Sequence, residues 1–352
     1  MQIDPDRLNE LLFKIVGDMG AAMSAALVSL GDRLGLYRHL AESGKATSKD
    51  LAGRAKVDER MTREWLLNQA ASGYVSYDEA GDCYFLTPEQ RAAFADDSGP
   101  ASMLGAFDII ESMHKDVGKV GEAFKSGGGL PWGGHDTCLF CGTERFFASG
   151  YRANLVGSWI PALGGVEQRL RDGAEAADVG CGHGASTVLM AAAFPKSRFV
   201  GYDFHEPSIN CARERAKAAG IGNVRFEVAD ATSFPSPGGG FDLVACFDCV
   251  HDMADPVGCA RHVKKSLRKG GTWMVVEPAA GDTVASNLNP VGRVFSAAST
   301  MICVPASQAG GGPALGACAG AKRIHDVMRR GGFEIPRIAT TTPFNHIHAA
   351  EA

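Results

Sequence analysis

At 352 residues the chain is long enough for two domains of ordinary size. Its 45% hydrophobic and 21% charged residues are the balance of a globular protein with a real core. A net charge of -5 lacks the clustered cations that phosphate backbones demand, which argues against nucleic acid as substrate.

The opening MQIDPDRLNELLFKIVGDMG shows no basic segment followed by an uninterrupted apolar run, so no signal peptide is read. Lys14 and Asp18 interrupt the apolar stretch from Leu11 to Leu30, which points to amphipathic helices and away from a membrane span. The expected compartment is the cytoplasm, where ten cysteines stay reduced. Of two CxxC pairs, Cys138/Cys141 and Cys246/Cys249, the second falls in an expected strand, where an i, i+3 pair points to opposite faces. No metal site is expected.

Helical spacing runs from Asp6 to about Leu40, with Gly17, Gly20, Gly31 and Gly35 as interruptions or boundaries. Short helices at 49–55 and 58–71 and a hairpin of 74–77 with 83–86 then read as a winged helix. Its would-be recognition helix carries Arg60 and Arg63 against Asp58, Glu59 and Glu64, a poor match for DNA, so packing or dimerisation is the expected role. After an acidic linker at Asp96-Asp97 come helical stretches at 101–125 and 143–171, separated by the Gly-rich loop SGGGLPWGG, expected to be a mobile cover. These readings divide the chain into a helical, winged-helix dimerisation domain at 1–96, a linker and substrate-cover region at 97–173, and a third domain at 174–352 with a lid insertion at 278–320.

From Glu175 short apolar strands alternate with helices, the pattern of a parallel sheet wound by crossovers. Strands are expected at 176–179, 198–202, 224–228, 242–247 and 272–276, with a closing pair at 333–338 and 343–349. The first strand runs into Asp178-Val179-Gly180-Cys181-Gly182-His183-Gly184-Ala185, a glycine turn opening a helix. The spacing also satisfies a dinucleotide fingerprint.

Three carboxylates favour S-adenosylmethionine over a dinucleotide. Asp178, just before Gly180, Gly182 and Gly184, suits an ammonium and repels a pyrophosphate. Asp203 ends the second strand, where it can accept both ribose hydroxyls. Asp230 ends the third and can accept from an adenine amino group while the Ala231 amide donates to the ring. Phe204 and Phe247 stand where they can flank adenine or the sulfonium.

With WIPALGGVEQRL, DVGCGHGAST, GYDFHEPSI, NLNPVGR and STMIC, the chain resembles over nearly its full length the bacterial class I methyltransferases with an N-terminal winged helix, a mycobacterial group among them. The resemblance implies a seven-stranded, mostly parallel Rossmann-like α/β domain behind a helical winged-helix domain. It also implies S-adenosyl-L-methionine as cofactor, S-adenosyl-L-homocysteine as product, a homodimer through the N-terminal domain and a small-molecule acceptor. His251-Asp252 is similar to the His-Asp pair of winged-helix O-methyltransferases, in which the histidine removes the acceptor's proton, and Glu277 matches the carboxylate that orients it. A histidine titrating near neutrality suits a phenol or alcohol acceptor. Transfer to nitrogen, sulfur or a metalloid, or a cofactor-sensing DNA-binding regulator, are the alternatives. Tyr151, Trp159, Asn289, Arg293 and Met301 are the expected acceptor-side residues.

Overall fold

The computed structural model describes residues 3–352, which divide into two compact units. One unit comprises residues up to Ser112 together with Cys141–Gly150; the other comprises Met113–Phe140 and Tyr151–Ala352.

The first unit is built from α1 (Pro5–Arg33), α2 (Leu36–Ser43), β1 (Lys45–Ala46), α3 (Ser48–Ala55), α4 (Glu59–Ala71), β2 (Ser76–Asp78), β3 (Cys83–Phe85) and α5 (Pro88–Phe94). Asp4 caps α1 through its carboxylate, and capping boxes start α3 at Thr47–Asp50 and α5 at Thr87–Gln90. The chain runs helically through Gly17, Gly20 and Gly31, contrary to the expected interruptions, because each glycine costs a 29-residue helix only about 1 kcal/mol. Only Gly35, in the left-handed region, ends it and opens α2. The hairpin gains a third strand, in the order β1-β3-β2. Val28, Leu40, Leu51, Trp65 and Leu66 form the core, with Tyr37 donating to Gln69 at 2.5 Å. α1 is long and apolar enough to cross a membrane by length and composition. Lys14 and Asp18, paired at 2.8 Å, therefore do not exclude a span as the sequence reading held.

The helices α6 (Leu104–Ser126) and α7 (Cys138–Asn154) contribute residues to both units. In the first, Arg145 of α7 gathers Asp32, Asp97 and Asp108 at 2.6–3.1 Å.

The expected helix at 143–171 is broken. α7 passes into a π-helical turn at Leu155–Trp159 and a 3₁₀ turn at Pro161–Leu163, and the left-handed Gly165 opens α8 (Val166–Asp172). Pro161 has no amide proton to continue the ladder. The second unit then alternates β4 (Glu175–Val179), α9 (Ala185–Ala193), β5 (Arg198–Asp203), α10 (Glu206–Ala218), β6 (Val224–Val228), β7 (Phe241–Phe247), α11 (Pro256–Ser266) and β8 (Leu267–Pro278). The insertion carries α12 (Pro290–Ala298), a π-helical turn at Ser299–Cys303 and α13 (Val304–Ala309); α14 (Gly320–Arg330), β9 (Arg337–Thr341) and β10 (Asn345–Glu351) close the chain. β9 begins later than the expected 333–338, because Phe333 is drawn into the core and Pro336 has no amide to donate to a ladder.

The sheet order is β6-β5-β4-β7-β8-β10-β9, with β10 antiparallel to both neighbours and the remaining pairs parallel. Every residue of β7 is buried, as expected for a strand covered on both faces. The connections run outward from β4 to β6 and then reverse to β7, so a crevice opens beyond the carboxyl ends of β4 and β7, where such sheets bind ligands.

Candidate functional site

The glycine turn follows β4 directly. Gly180, Gly182 and Gly184 all take positive φ, and a Cβ on Gly180 would lie 2.7 Å from the Cys249 sulfur. The turn packs closely on its neighbours, the Gly180 and Cys181 amides both donating to Tyr202 O at 2.8 and 3.0 Å and the Gly184 amide to Cys181 O at 2.8 Å. Asp178 is fully buried: one carboxylate oxygen accepts from Ser186 Oγ at 2.6 Å and Thr187 Oγ1 at 2.7 Å, and the other has no partner. Burial pushes its carboxyl up to about 7 against the pull of those hydroxyls.

Asp203 accepts the Gly182 amide at 2.9 Å and the His205 amide at 2.8 Å, one on each oxygen. Each oxygen keeps a lone pair for a further donor, and burial raises its pKa. Asp230 is exposed and fixes its own turn through Thr232, with Ala231 following it. Phe204 is 64% exposed, an apolar face open to a planar ring, whereas Phe247 is buried edge-on to Tyr151. His205 bonds Ser208 at 2.8 Å and fixes its loop. An acceptor without a partner beside a glycine turn that carries no Cβ cover, with carboxylates at the ends of the next two strands, fits S-adenosylmethionine.

The strand β7 ends at Phe247, and Asp248 takes φ 49°, turning the chain sharply. Asp248 is held by Asn345 of β10 at 2.9 Å while its second oxygen has no partner. The strand ends before Cys249, whose thiol donates to Val179 O at 3.4 Å, while the Cys246 sulfur accepts from the Trp273 indole at 3.4 Å, so the pair does not lie in one continuous strand as expected. The described residues contain no group of three His, Cys, Asp or Glu able to hold a metal.

His251 sits in the 3₁₀ turn that follows. Glu277, at the end of β8, clamps this turn: Oε1 accepts the amides of Val250 at 2.9 Å and His251 at 3.3 Å, and Oε2 meets His251 Nδ1 at 2.5 Å. Both side chains are buried. Burial works to lower the imidazole's pKa, but the Glu277 carboxylate and the Cys303 thiol work the other way and hold it well above the usual histidine value. Asp252 is pushed up to about 7 by burial, with His251 opposing. With Nδ1 committed to Glu277, Nε2 is the ring nitrogen left for another partner.

The expected acceptor-side residues scatter. Tyr151 and Trp159 are buried edge-to-face, and the Trp159 indole N–H has no partner. Asn289 is exposed and caps α12 through the Gly292 amide; Arg293 is exposed on that helix; Met301 is half-buried in the π-turn. The sequence reading gave no role to Ser186 and Thr187, although they end the quoted stretch DVGCGHGAST, nor to Asn345, which belongs to no motif. It also missed the Asp116–His135 pair at 3.0 Å, buried beneath the Gly-rich loop. That loop is tied to the 278–320 insertion, the Leu130 amide donating to Pro305 O at 3.0 Å. On α4 the two arginines are spent on Glu64 and Glu59 within the same helix, at 2.5 and 2.7 Å.

The sheet order, glycine turn and three carboxylates define a class I, S-adenosylmethionine-dependent methyltransferase domain. Residues 170–331 match the family model described as "Methyltransferase domain", and residues 22–96 the one described as "Rv2258c-like winged HTH domain". The chain is 32% identical over 131 residues to 27-O-demethylrifamycin SV methyltransferase of Amycolatopsis mediterranei, covering 35% of this chain and 48% of that protein. It therefore spans about half the length of the curated relatives it matches, 45% for the demethylmenaquinone methyltransferase of Thermus thermophilus, which is 33% identical over 28% of this chain. In fold it is similar to human N-acetylserotonin methyltransferase solved with its cofactor, at TM-score 0.72 and 16% identity over 100% of this chain and 99% of that one. An O-methyltransferase family protein from Burkholderia thailandensis superposes at TM-score 0.67 and 16% identity, over 100% and 98% of the two chains.

Proposed function

We propose that the whole chain transfers a methyl group from S-adenosylmethionine to the oxygen of a small, partly apolar molecule. The observation that carries this reading is the Glu277–His251 clamp, a buried base with one nitrogen fixed and the other available. When bound, the cofactor supplies an electrophilic methyl group. Asp178 would hold its ammonium through the unpartnered oxygen, Gly180, Gly182 and Gly184 would let the backbone approach its methionine part, Asp203 would hold its ribose, and Asp230, Ala231, Phe204 and Phe247 its adenine side. His251 would take the acceptor's proton on Nε2, and Glu277 would balance the imidazolium charge. Asp252 would complete the catalytic group.

The same reading gives the insertion at 278–320 and the region 97–173 the role of acceptor cover, with Tyr151, Trp159, Asn289, Arg293 and Met301 as contacts. It gives residues 1–96 the role of a homodimer interface, supported by Leu12, Val16, Met19 and Met23 exposed in one row along α1. Ten free cysteines support a cytoplasmic setting. Neither the paired arginines of α4 nor the comparisons favour a DNA-binding regulator.

Calorimetry with S-adenosylmethionine and S-adenosylhomocysteine tests the reading, with Asp203→Ala as control and NAD as competitor. Micromolar binding lost in Asp203→Ala is the expected result; absent binding, or preference for NAD, overturns it.

A further inference from the structure

A cavity of about 230 Å³ opens between the start of α11, the end of the 278–320 insertion and α14, and none of the residues assigned to cofactor, base or acceptor lines it. Pro256, Val257, Leu315 and Val327 give it apolar walls, Val257 and Leu315 packing on the core that contains Val327. Its charged lining is exposed and lopsided, with Lys322, Arg323 and Arg330 against Asp326 alone, all on α14. Asp326 leans on Arg330 at 3.6 Å, whereas the side chains of Lys322 and Arg323 enter no ion pair or hydrogen bond among the described residues. An apolar hollow with two unspent cations matches a flat apolar body that carries a negative charge. Its volume lies below the roughly 300 Å³ at which drug-sized sites begin, which suits one or two rings.

The cavity wall is tied to the His251 turn. Leu315 stands between Ala314, held at φ 50° with its amide on Ser307 Oγ at 3.1 Å, and Gly316, whose amide donates to His251 O at 3.0 Å. Ser307 Oγ in turn donates to Met253 O at 2.8 Å. Both links end on the segment 251–253, which carries His251 and Asp252. A non-glycine residue at positive φ persists only where its surroundings over-determine it, so this wall is preformed.

We propose that the cavity is a second binding site, for a small organic anion with one or two apolar rings, and that its filling is felt at the His251 turn through Leu315 and Gly316. The rings replace water against Pro256, Val257, Leu315 and Val327, and the anionic group meets Lys322 and Arg323. A guest seated against Leu315 fixes the segment that donates to His251 O, so the turn loses freedom when the cavity fills. Neither cofactor nor acceptor takes part, which separates this site from the methyl-transfer reading above.

Calorimetry of the full-length protein with 2-naphthoate, a two-ring carboxylate, should show saturable binding that weakens with added salt. The neutral 2-naphthalenemethanol should bind at least about tenfold more weakly, and Lys322→Glu with Arg323→Glu should weaken 2-naphthoate at least about tenfold, two attractions becoming two repulsions. By hydrogen exchange, 2-naphthoate should slow the peptides covering 313–316 and 249–254 in the unaltered chain and leave them unchanged in the double variant. Absent binding, equal affinity for the neutral alcohol, or equal affinity in the double variant overturns the site, the last by placing the anion elsewhere. The salt and alcohol comparisons use the unaltered chain, so they decide the question even if the double variant fails to fold. Binding lost in the double variant with no slowing at 249–254 in the unaltered chain overturns the link to the His251 turn.

Discussion

The ends of β4 and β7 and the face of α1 solve opposite problems. At the strand ends, buried polar groups find partners within the same unit: Glu277 alone satisfies two amides and an imidazole, and Asp178 takes two hydroxyls. Along α1 the apolar side chains Leu12, Phe13, Val16 and Met19 stay exposed, and the helix buries mainly its last third, at Ser24, Ala25, Val28 and Ser29. A polar region whose bonds are made internally, save one oxygen each of Asp178 and Asp248, gains specificity for one geometry, while an open apolar row gains stability only when covered. The first arrangement defines a chemistry; the second defines a need for a partner surface.

The largest effect should come from the clamp. Replacing His251 with Gln is expected to cut turnover about 10²–10⁴-fold, the contribution of a positioned general base. Cofactor affinity by calorimetry should stay nearly unchanged, and full activity in the variant would remove the base assignment.

The Asp178 carboxyl gives a pH dependence with a definite sign. Its folded pKa is raised from 3.8 to about 7, so its own contribution to stability is full below its unfolded value and lost as pH rises through 7. A cationic ammonium needs the ionised form, so cofactor affinity should fall by up to about tenfold per pH unit below 7. Asp178→Asn should bind more weakly and flatten that slope; a pH slope that survives in the variant would place the titrating group elsewhere.

For α1, Val16→Asp with Met19→Asp should convert a dimer to a monomer in light scattering at micromolar concentration. A monomeric mass for the unaltered chain would already contradict the dimer. The smallest effect is local: Thr47→Ala removes one capping box and should lower stability by about 1 kcal/mol in denaturant melts, leaving cofactor binding intact.

The parallel strands were legible because burial on both faces writes short apolar runs, and β4 through β7 lie within a residue of the positions read from them. Residues adjacent in sequence to those strands, such as Asp178, Asp203 and His251, were legible for the same reason. What stayed hidden depends on turns and long-range pairing. The positive φ at Asp248, which turns the chain after β7, has no glycine to announce it. The π-turn Ser299–Cys303 of the insertion is likewise not encoded by periodicity. The break after α7 and the later start of β9 both turn on a proline whose missing amide was outweighed by a strong helical or apolar pattern nearby.

The close approach of Gly180 and Cys249 has an evolutionary corollary. Where a Cβ at 180 would stand 2.7 Å from the Cys249 sulfur, the two positions share one volume. Relatives that enlarge residue 180 should carry a smaller residue at 249, and the pair should change together across the lineage, tying drift in the glycine turn to drift in the segment that carries the histidine.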